Sequence, residues 1–270
     1  MKATVIVDNI GNGMLSGEWG LSILIEHNGK RILLDTGASP LFLKNMELLG
    51  EDVAQVDYAV LSHAHYDHAN GMEPFFQNNG KAQFYVRKGA EENCYTKYGI
   101  IRKYIGMPRG ITEKFSRRIV YAEGCVSLCE GAHLLPHTTP ELDALGKREH
   151  MYRRQGRRWV PDDFSHEQSL VLETAQGLMI FNCCSHGGVI NTLREVEAAF
   201  PGKPVFGYVG GFHLFNKSPG EVRKLAQQIR ETGLSVIWTG HCTGQRAFDI
   251  LKEELGESLH QLAAGAVIDI

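Results

Sequence analysis

Three histidines and an aspartate fall within six residues in Ser62-His63-Ala64-His65-Tyr66-Asp67-His68, directly after the apolar run Tyr58-Ala59-Val60-Leu61. No other stretch of the 270 residues narrows the possible folds as much. Imidazoles and a carboxylate crowded at the end of a strand repel one another when protonated and lack partners when buried. A divalent cation removes both difficulties, and nitrogen and oxygen donors of this kind suit Zn, Fe, Mn or Ni. A tight turn can split the run, sending His63 and His65 to one ion and Asp67 and His68 to another.

The rest of the chain must therefore bring further ligands to the end of a strand. Runs rich in Val, Ile and Leu, bounded by Gly, Asn or Asp, predict strands over residues 3–7, 22–26, 31–34, 57–61, 83–86, 169–173, 178–181, 205–209 and 235–238. Ser39-Pro40 opens a predicted helix that stops near Gly50. Ser218-Pro219-Gly220-Glu221 sets an N-cap, a first-turn proline and a capping-box acid in order, with Gly233 closing that helix. Further helical patterns follow Gly188 and Gly244. Such alternation predicts an α/β layered fold.

Three more histidines end predicted strands: His186, His213 in Gly210-Gly211-Phe212-His213, and His241 in Thr239-Gly240-His241-Cys242-Thr243-Gly244. Ligands gather at the carboxyl ends of strands in open α/β folds, so these read as the missing ligands. His166 precedes a strand and competes with His186 for one place, His186 being preferred. His27, His133, His137, His150 and His260 have no such setting and read as surface or core residues.

One internal repeat stands out. Ser22-Ile23-Leu24-Ile25-Glu26 and Ser169-Leu170-Val171-Leu172-Glu173 match at an offset of 147 residues. Each precedes a glycine turn and a second apolar strand, the first ending in Asp35-Thr36-Gly37 and the second in Asn182-Cys183-Cys184-Ser185-His186. Between about residues 93 and 161 the pattern breaks down, and a basic run carries Arg153, Arg154, Arg157 and Arg158. That stretch reads either as a solvated insertion or as a lid whose guanidinium groups meet phosphate or carboxylate. No linker is evident, so the expectation is a single domain over 1–270 with an insertion around 93–161.

Composition excludes several classes. Lys+Arg 28 against Asp+Glu 31 leaves a net charge of −3, so no broad positive field draws nucleic acid or anionic lipid. No apolar run approaches the roughly 18–20 residues of a membrane span. Asp8 interrupts the N-terminal apolar run too early for a secretion signal. The six cysteines form neither a disulfide framework nor a CxxC pair. A reduced, cytoplasmic protein acting on a small molecule is the expectation.

The run His63-x-His65-x-Asp67-His68 after an apolar strand resembles the signature of the metallo-β-lactamase fold superfamily. Leu33-Leu34-Asp35-Thr36-Gly37 resembles its first motif and Thr239-Gly240-His241 its last. The segments 182–188, 210–214 and 240–244 are similar to a branch described as dihydropterin-ribofuranosylaminobenzene-phosphate-synthase-like. The resemblance implies a four-layer αββα sandwich of two related halves, with one or two divalent metals, Zn first and Fe or Mn next, at its edge. It implies His63, His65 and His186 as one ligand set and Asp67, His68 and His241 as the other. Where most members bring an acidic bridging ligand, this chain reads Cys183-Cys184. Cys184 as thiolate, His186, or water alone are three ways to fill that place.

The activity implied is hydrolysis by metal-activated hydroxide on a small anionic, phosphorylated substrate met by the arginine run. Asp67 is a candidate proton acceptor, His213 a candidate for polarising the substrate or protonating the leaving group, and Asp35 a candidate for orienting a ligand histidine. Two rivals stand beside it. A phosphodiesterase or nuclease acting on RNA or a cyclic nucleotide has the acidic balance against it. A di-iron redox protein has against it the lack of a flavin domain or a Cys-rich cluster motif.

Overall fold

A computed structural model describes residues 1–270. Strand β1 (Lys2–Val7) leads to the hairpin β2 (Ser22–His27) and β3 (Lys30–Leu34). Helix α1 (Leu41–Leu48) crosses to β4 (Tyr58–Val60), and α2 (Tyr66–Ala69) with α3 (Met72–Asn78) leads to β5 (Gln83–Arg87). Next come β6 (Tyr95–Tyr98), β7 (Ile101–Tyr104), α4 (Ile111–Lys114), β8 (Ile119–Ala122), β9 (Val126–Cys129) and β10 (Ala132–Pro136). After α5 (Asp143–Arg148) the hairpin β11 (Met151–Gln155) and β12 (Arg158–Pro161) precedes β13 (Gln168–Glu173) and β14 (Leu178–Phe181). The chain closes with α6 (Val189–Ala199), β15 (Val205–Val209), α7 (Pro219–Thr232), β16 (Val236–Thr239), α8 (Gln245–Leu255), β17 (Leu259–Gln261) and β18 (Val267–Asp269).

Two seven-stranded sheets result, in the orders β18-β1-β2-β3-β4-β5-β8 and β17-β16-β15-β14-β13-β10-β9. Strand alternation explains why they stack. Ile23, Ile25, Ile32 and Leu34 of the first sheet face Leu170, Leu172, Met179 and Phe181 of the second in one buried cluster. Leu24 and Leu33 point the other way, onto Phe42 and Met46 of α1 and Phe75 of α3. Val171 and Ile180 likewise face Leu193 of α6, Val222 of α7 and Leu251 of α8. Three apolar interfaces separate four layers, α, β, β and α, as the resemblance implies. No helix is long and apolar enough to cross a membrane.

The two hairpins share their register as well as their sequence. Ile23 pairs with Leu34 and Leu170 with Phe181; Glu26 pairs with Arg31 and Glu173 with Leu178. Every partner is shifted by the same 147 residues. In each half the hairpin is followed by two parallel pairings, β3·β4·β5 and β14·β15·β16. The capping box of α7 forms as expected, with Ser218 and Glu221 bonded reciprocally and Gly233 in the left-handed region.

The stretch expected to be one insertion is divided. Its middle supplies β8 to the first sheet and β9 and β10 to the second, with Leu134 buried in the central interface. Only β12-β11-β6-β7 forms a separate four-stranded sheet. Its residues are mostly half-buried or exposed and it is held by aromatic and cationic contacts, with Tyr95 4.8 Å from Trp159 and Arg102 4.7 Å over the Trp159 ring. It therefore lacks the apolar alternation by which the other strands are read.

Candidate metal centre

β1, β3, β4, β14, β15 and β16 all end at the same edge of the sandwich, and the residues just past them converge there. Asp35, fully buried after β3, fastens the first-half ligands. Its Oδ1 accepts from the Ser62 amide at 2.7 Å, and its Oδ2 accepts from Ser62 Oγ at 2.6 Å and His68 Nδ1 at 2.7 Å. Ser62 Oγ in turn accepts from His63 Nδ1 at 2.8 Å. One carboxylate thus sets the tautomers of two histidines and turns both Nε2 lone pairs inward.

The rings of His63, His65 and His186 lie 4.6 to 4.9 Å apart, and one donor nitrogen from each falls within 4.8 Å of the others. His63 Nε2, His65 Nε2 and both ring nitrogens of His186 are buried without a hydrogen-bond partner. Four orphaned imidazole nitrogens in one place demand an explanation, since buried polar groups are almost always paired. Burial holds all three rings below the usual histidine range, His65 to about 3, with neighbouring imidazoles adding to the effect. They are neutral and able to donate, and the residues fit a divalent cation.

The second group adjoins it. His68 Nε2 lies 3.2 Å from His241 Nε2, and Asp67 Oδ2 lies 3.9 and 3.5 Å from those two atoms. Burial alone would raise Asp67, but His68 and His241 outweigh it and hold the carboxyl well below its usual range. Burial alone would lower His241, but the Asp67 carboxylate outweighs it and holds the imidazole up to about 9. The pair balances its charge with a proton, in the place where a divalent ion would supply positive charge instead. His241 Nδ1 donates to Asn9 Oδ1 at 3.0 Å, its carbonyl accepts from Asn9 Nδ2 at 3.1 Å, and its amide donates to Asp8 Oδ2 at 3.0 Å. Burial pushes Asp8 up to about 6.

Cys184 stands between the groups. Its sulfur lies 3.3 Å from His68 Nε2 and within 4.8 Å of donor atoms of His63 on one side and of His241 and Cys242 on the other. Cys242 Sγ is 3.4 Å away, and all six cysteines are free. His166 is engaged otherwise. Its Nδ1 accepts from the Ala64 amide at 3.2 Å and its Nε2 donates to Asp162 at 3.2 Å, so both nitrogens have protein partners where those of His186 have none. His166 positions the backbone between His63 and His65.

His186 is held through its backbone. Glu167 accepts from the amides of His186 and Gly187 at 3.1 and 2.9 Å, and from His137 Nε2 at 2.6 Å. His137 also donates to Glu195 at 2.8 Å. Burial would lower His137, but the two glutamates outweigh it and raise it to about 10. Phe164 stacks on the His186 ring at 5.0 Å. Four non-glycine residues of this edge, Asp35, Ser185, His213 and His241, occupy the left-handed region with φ between 46° and 61°. Such strain persists only where surrounding contacts over-determine it, and it collects at functional sites.

Two chambers open on the centre, both touching His186, His213 and Glu149. One, of about 400 Å³, holds His65, Asp67 and Cys184 under the aromatic rings of Trp19, Tyr66 and Phe215, with Lys97 and Lys103 of the third sheet along its wall. That wall is tied to the ligand loop: the Tyr66 amide donates to Ile105 O at 2.9 Å, the Met107 amide to Ala64 O at 3.0 Å, and His65 bridges Gly106. The other, of about 500 Å³, is lined by Arg148, Arg194, Lys217 and Lys224. The arginine run lies elsewhere. Arg153 pairs with Asp163, Arg154 turns onto the Gly156 carbonyl, and none of Arg153, Arg154, Arg157 and Arg158 lines either chamber.

His213, with its Nδ1 buried and unpartnered, sits 4.5 Å from the His186 ring at the junction of the chambers. Sequence reasoning passes over Asp8, Asn9, Glu167 and His137. Asp8-Asn9 follows β1 as the other site residues follow their strands, and that placement is the signal that finds it. Glu167 and His137 carry no such signal, since both act through contacts made far along the chain.

The sequence profile of the metallo-beta-lactamase superfamily matches residues 20–190. A 7,8-dihydropterin-6-methyl-4-(beta-D-ribofuranosyl)-aminobenzene-5'-phosphate synthase of Methanocaldococcus jannaschii is 29% identical over 273 residues, covering 95% of this chain and 92% of the relative. A solved structure described as a metal-dependent hydrolase of the beta-lactamase superfamily superposes with a TM-score of 0.85 at 28% identity, covering 100% of this chain and 99% of that one. Zn(2+)-bound PqqB from Methylobacterium extorquens shares the fold alone, with a TM-score of 0.59 at 8% identity, covering 100% of this chain and 100% of that one.

Proposed function

This chain belongs to the metallo-beta-lactamase superfamily, and from that premise we propose that it is a metal-dependent hydrolase of a small anionic substrate. The observation that carries the reading is the set of buried, partnerless nitrogens of His63, His65 and His186. These three would hold one ion; Asp67, His68 and His241 would hold a second, with Cys184 between them. Zinc suits this donor set best, and Fe or Mn are the other ions it accommodates. A bound divalent ion would lower the pKa of a water and polarise the bond to be cleaved.

The chain's own residues do the rest. Asp35 keeps His63 and His68 in the Nδ1–H tautomer, which leaves the Nε2 lone pair for a metal. Asp67 is a weak base, since its carboxyl is held well below the usual range, so it serves the site more by its charge than by taking a proton. His213, at the junction of the two chambers, is placed to give a proton to a leaving group. Trp19, Phe215 and the third sheet wall the aromatic chamber. A cytoplasmic setting keeps Cys184 and Cys242, 3.4 Å apart, as thiols. The substrate is a small molecule rather than nucleic acid, in keeping with a net charge of −3.

A second reading is group transfer, in which another molecule takes the place of water. The synthase name of one relative and the two chambers meeting at His213 favour it. The test has two parts. His63→Ala should lose bound metal and activity together; full metal content by elemental analysis in that variant would sink the ligand assignment. A panel of phosphomonoesters, phosphodiesters, lactones and thioesters in ¹⁸O-water then separates hydrolysis, which places label in the product, from transfer, which does not.

A further inference from the structure

Taking the metal-dependent reading above as its basis, we propose that the basic chamber is an anion subsite that holds a phosphate of the substrate as a handle, away from the bond that reacts. Four cations line it against two carboxylates, Glu149 and Glu221. Glu149 is spent on Arg148, at 3.0 Å, and on Lys217, while Glu221 is occupied by the capping box with Ser218. Arg194 of α6 and Lys224 of α7 have no carboxylate partner and remain for a ligand. Helical positions fix their backbones, and a guanidinium fork beside an ammonium is the donor pair that phosphate oxygens match.

The inner wall points to the same conclusion. His186 is only 5% exposed, yet both its ring nitrogens lack a protein partner. One of them would hold an ion, which sets this chamber directly against the metal centre. Gly188, Val189, Ile190 and Asn191, at the start of α6, complete that wall. Of all the residues that would hold metal, His186 alone lines this chamber, whereas His65, Asp67 and Cys184 line the other. A phosphate seated on Arg194 and Lys224 therefore recognises the molecule without being the group attacked. The reacting bond lies toward the aromatic chamber, past His213.

Inorganic phosphate is the probe, titrated calorimetrically into the full chain, zinc-loaded and chelator-stripped. The handle predicts saturable binding in both forms with affinities within about threefold of each other. Arg194→Gln with Lys224→Gln should weaken it about tenfold or more in both, while Lys97→Gln with Lys103→Gln should leave it unchanged. Circular dichroism and zinc content confirm that each variant is folded and loaded. No saturable binding, binding abolished by the chelator, or binding indifferent to the Arg194 and Lys224 changes overturns the proposal. So does release of phosphate from a phosphomonoester that persists undiminished in that double variant. Failure of the metal reading registers separately, as a chain that retains no zinc, and the titration of the stripped form still decides the handle.

Discussion

The hairpins β2–β3 and β13–β14 are one design used twice, alike in register and in burial, yet the residues that follow them do opposite work. Asp35 gathers three donors, the Ser62 amide, the Ser62 hydroxyl and His68 Nδ1, and through Ser62 it reaches His63. Asn182, at the equivalent place, accepts from the Ser185 amide at 2.8 Å and donates to Ser169 Oγ at 3.0 Å, and it touches no histidine. The backbone amides of both bond to the next parallel strand, at Val60 O and Val209 O. The scaffold was kept and the chemistry divided. The first half orients its ligands with a buried charge; the second shapes its loop with neutral groups and leaves the carboxylate to Glu167, which holds the backbone of His186 rather than its ring.

Asp35→Asn attacks the charged half. A single amide oxygen cannot serve three donors, and its NH₂ would face one of them, so zinc affinity should fall about 10–100-fold in a chelator competition. Retained affinity would erase the distinction between the halves. The clamp on the second half should show in stability instead. His137 is held up to about 10 against an ordinary 6.5, because Glu167 and Glu195 outweigh its burial. A raised folded-state value means the clamp contributes fully below about pH 6.5 and fades as pH rises through about 10. Tm should decline across that window, and His137→Asn should be less stable at pH 6 with the decline flattened; an unchanged slope would remove His137 from this role. Asn182→Asp is the smallest change. Ser169 can donate to the new carboxylate, so we expect a loss of about 1–2 kcal/mol in stability and no change in zinc affinity. A tenfold change in affinity there would show that the neutral half also tunes the ions.

The contrast also marks what the sequence makes legible. A ligand must sit near its metal, so His63, His65, Asp67 and His68 announce themselves by crowding, and His186, His213 and His241 by their places after apolar strands. The repeat is readable because both hairpins bury alternate residues against the same interface, down to Ile23 and Leu170. Orienting residues need no crowding. Asp8 and Asn9 reach His241 across more than 230 positions, and His137 reaches Glu195 across 58. The third sheet hides for a different reason: Tyr95, Tyr104, Arg102 and Trp159 hold it by rings and cations, and no period-two apolar pattern records them. The arginine run misleads because local density of charge says nothing about which face of the molecule carries it.

The two rungs that join Ala64 and Tyr66 to Met107 and Ile105, pairing His65 with Gly106, have a mechanical consequence. The wall of the aromatic chamber and the cradle of the first ion are one piece of backbone. Any swing that widens the mouth must unzip those rungs, and in doing so it slackens the loop that aims His65. Breathing of the cleft would therefore loosen the hold of His65 on any ion it carries.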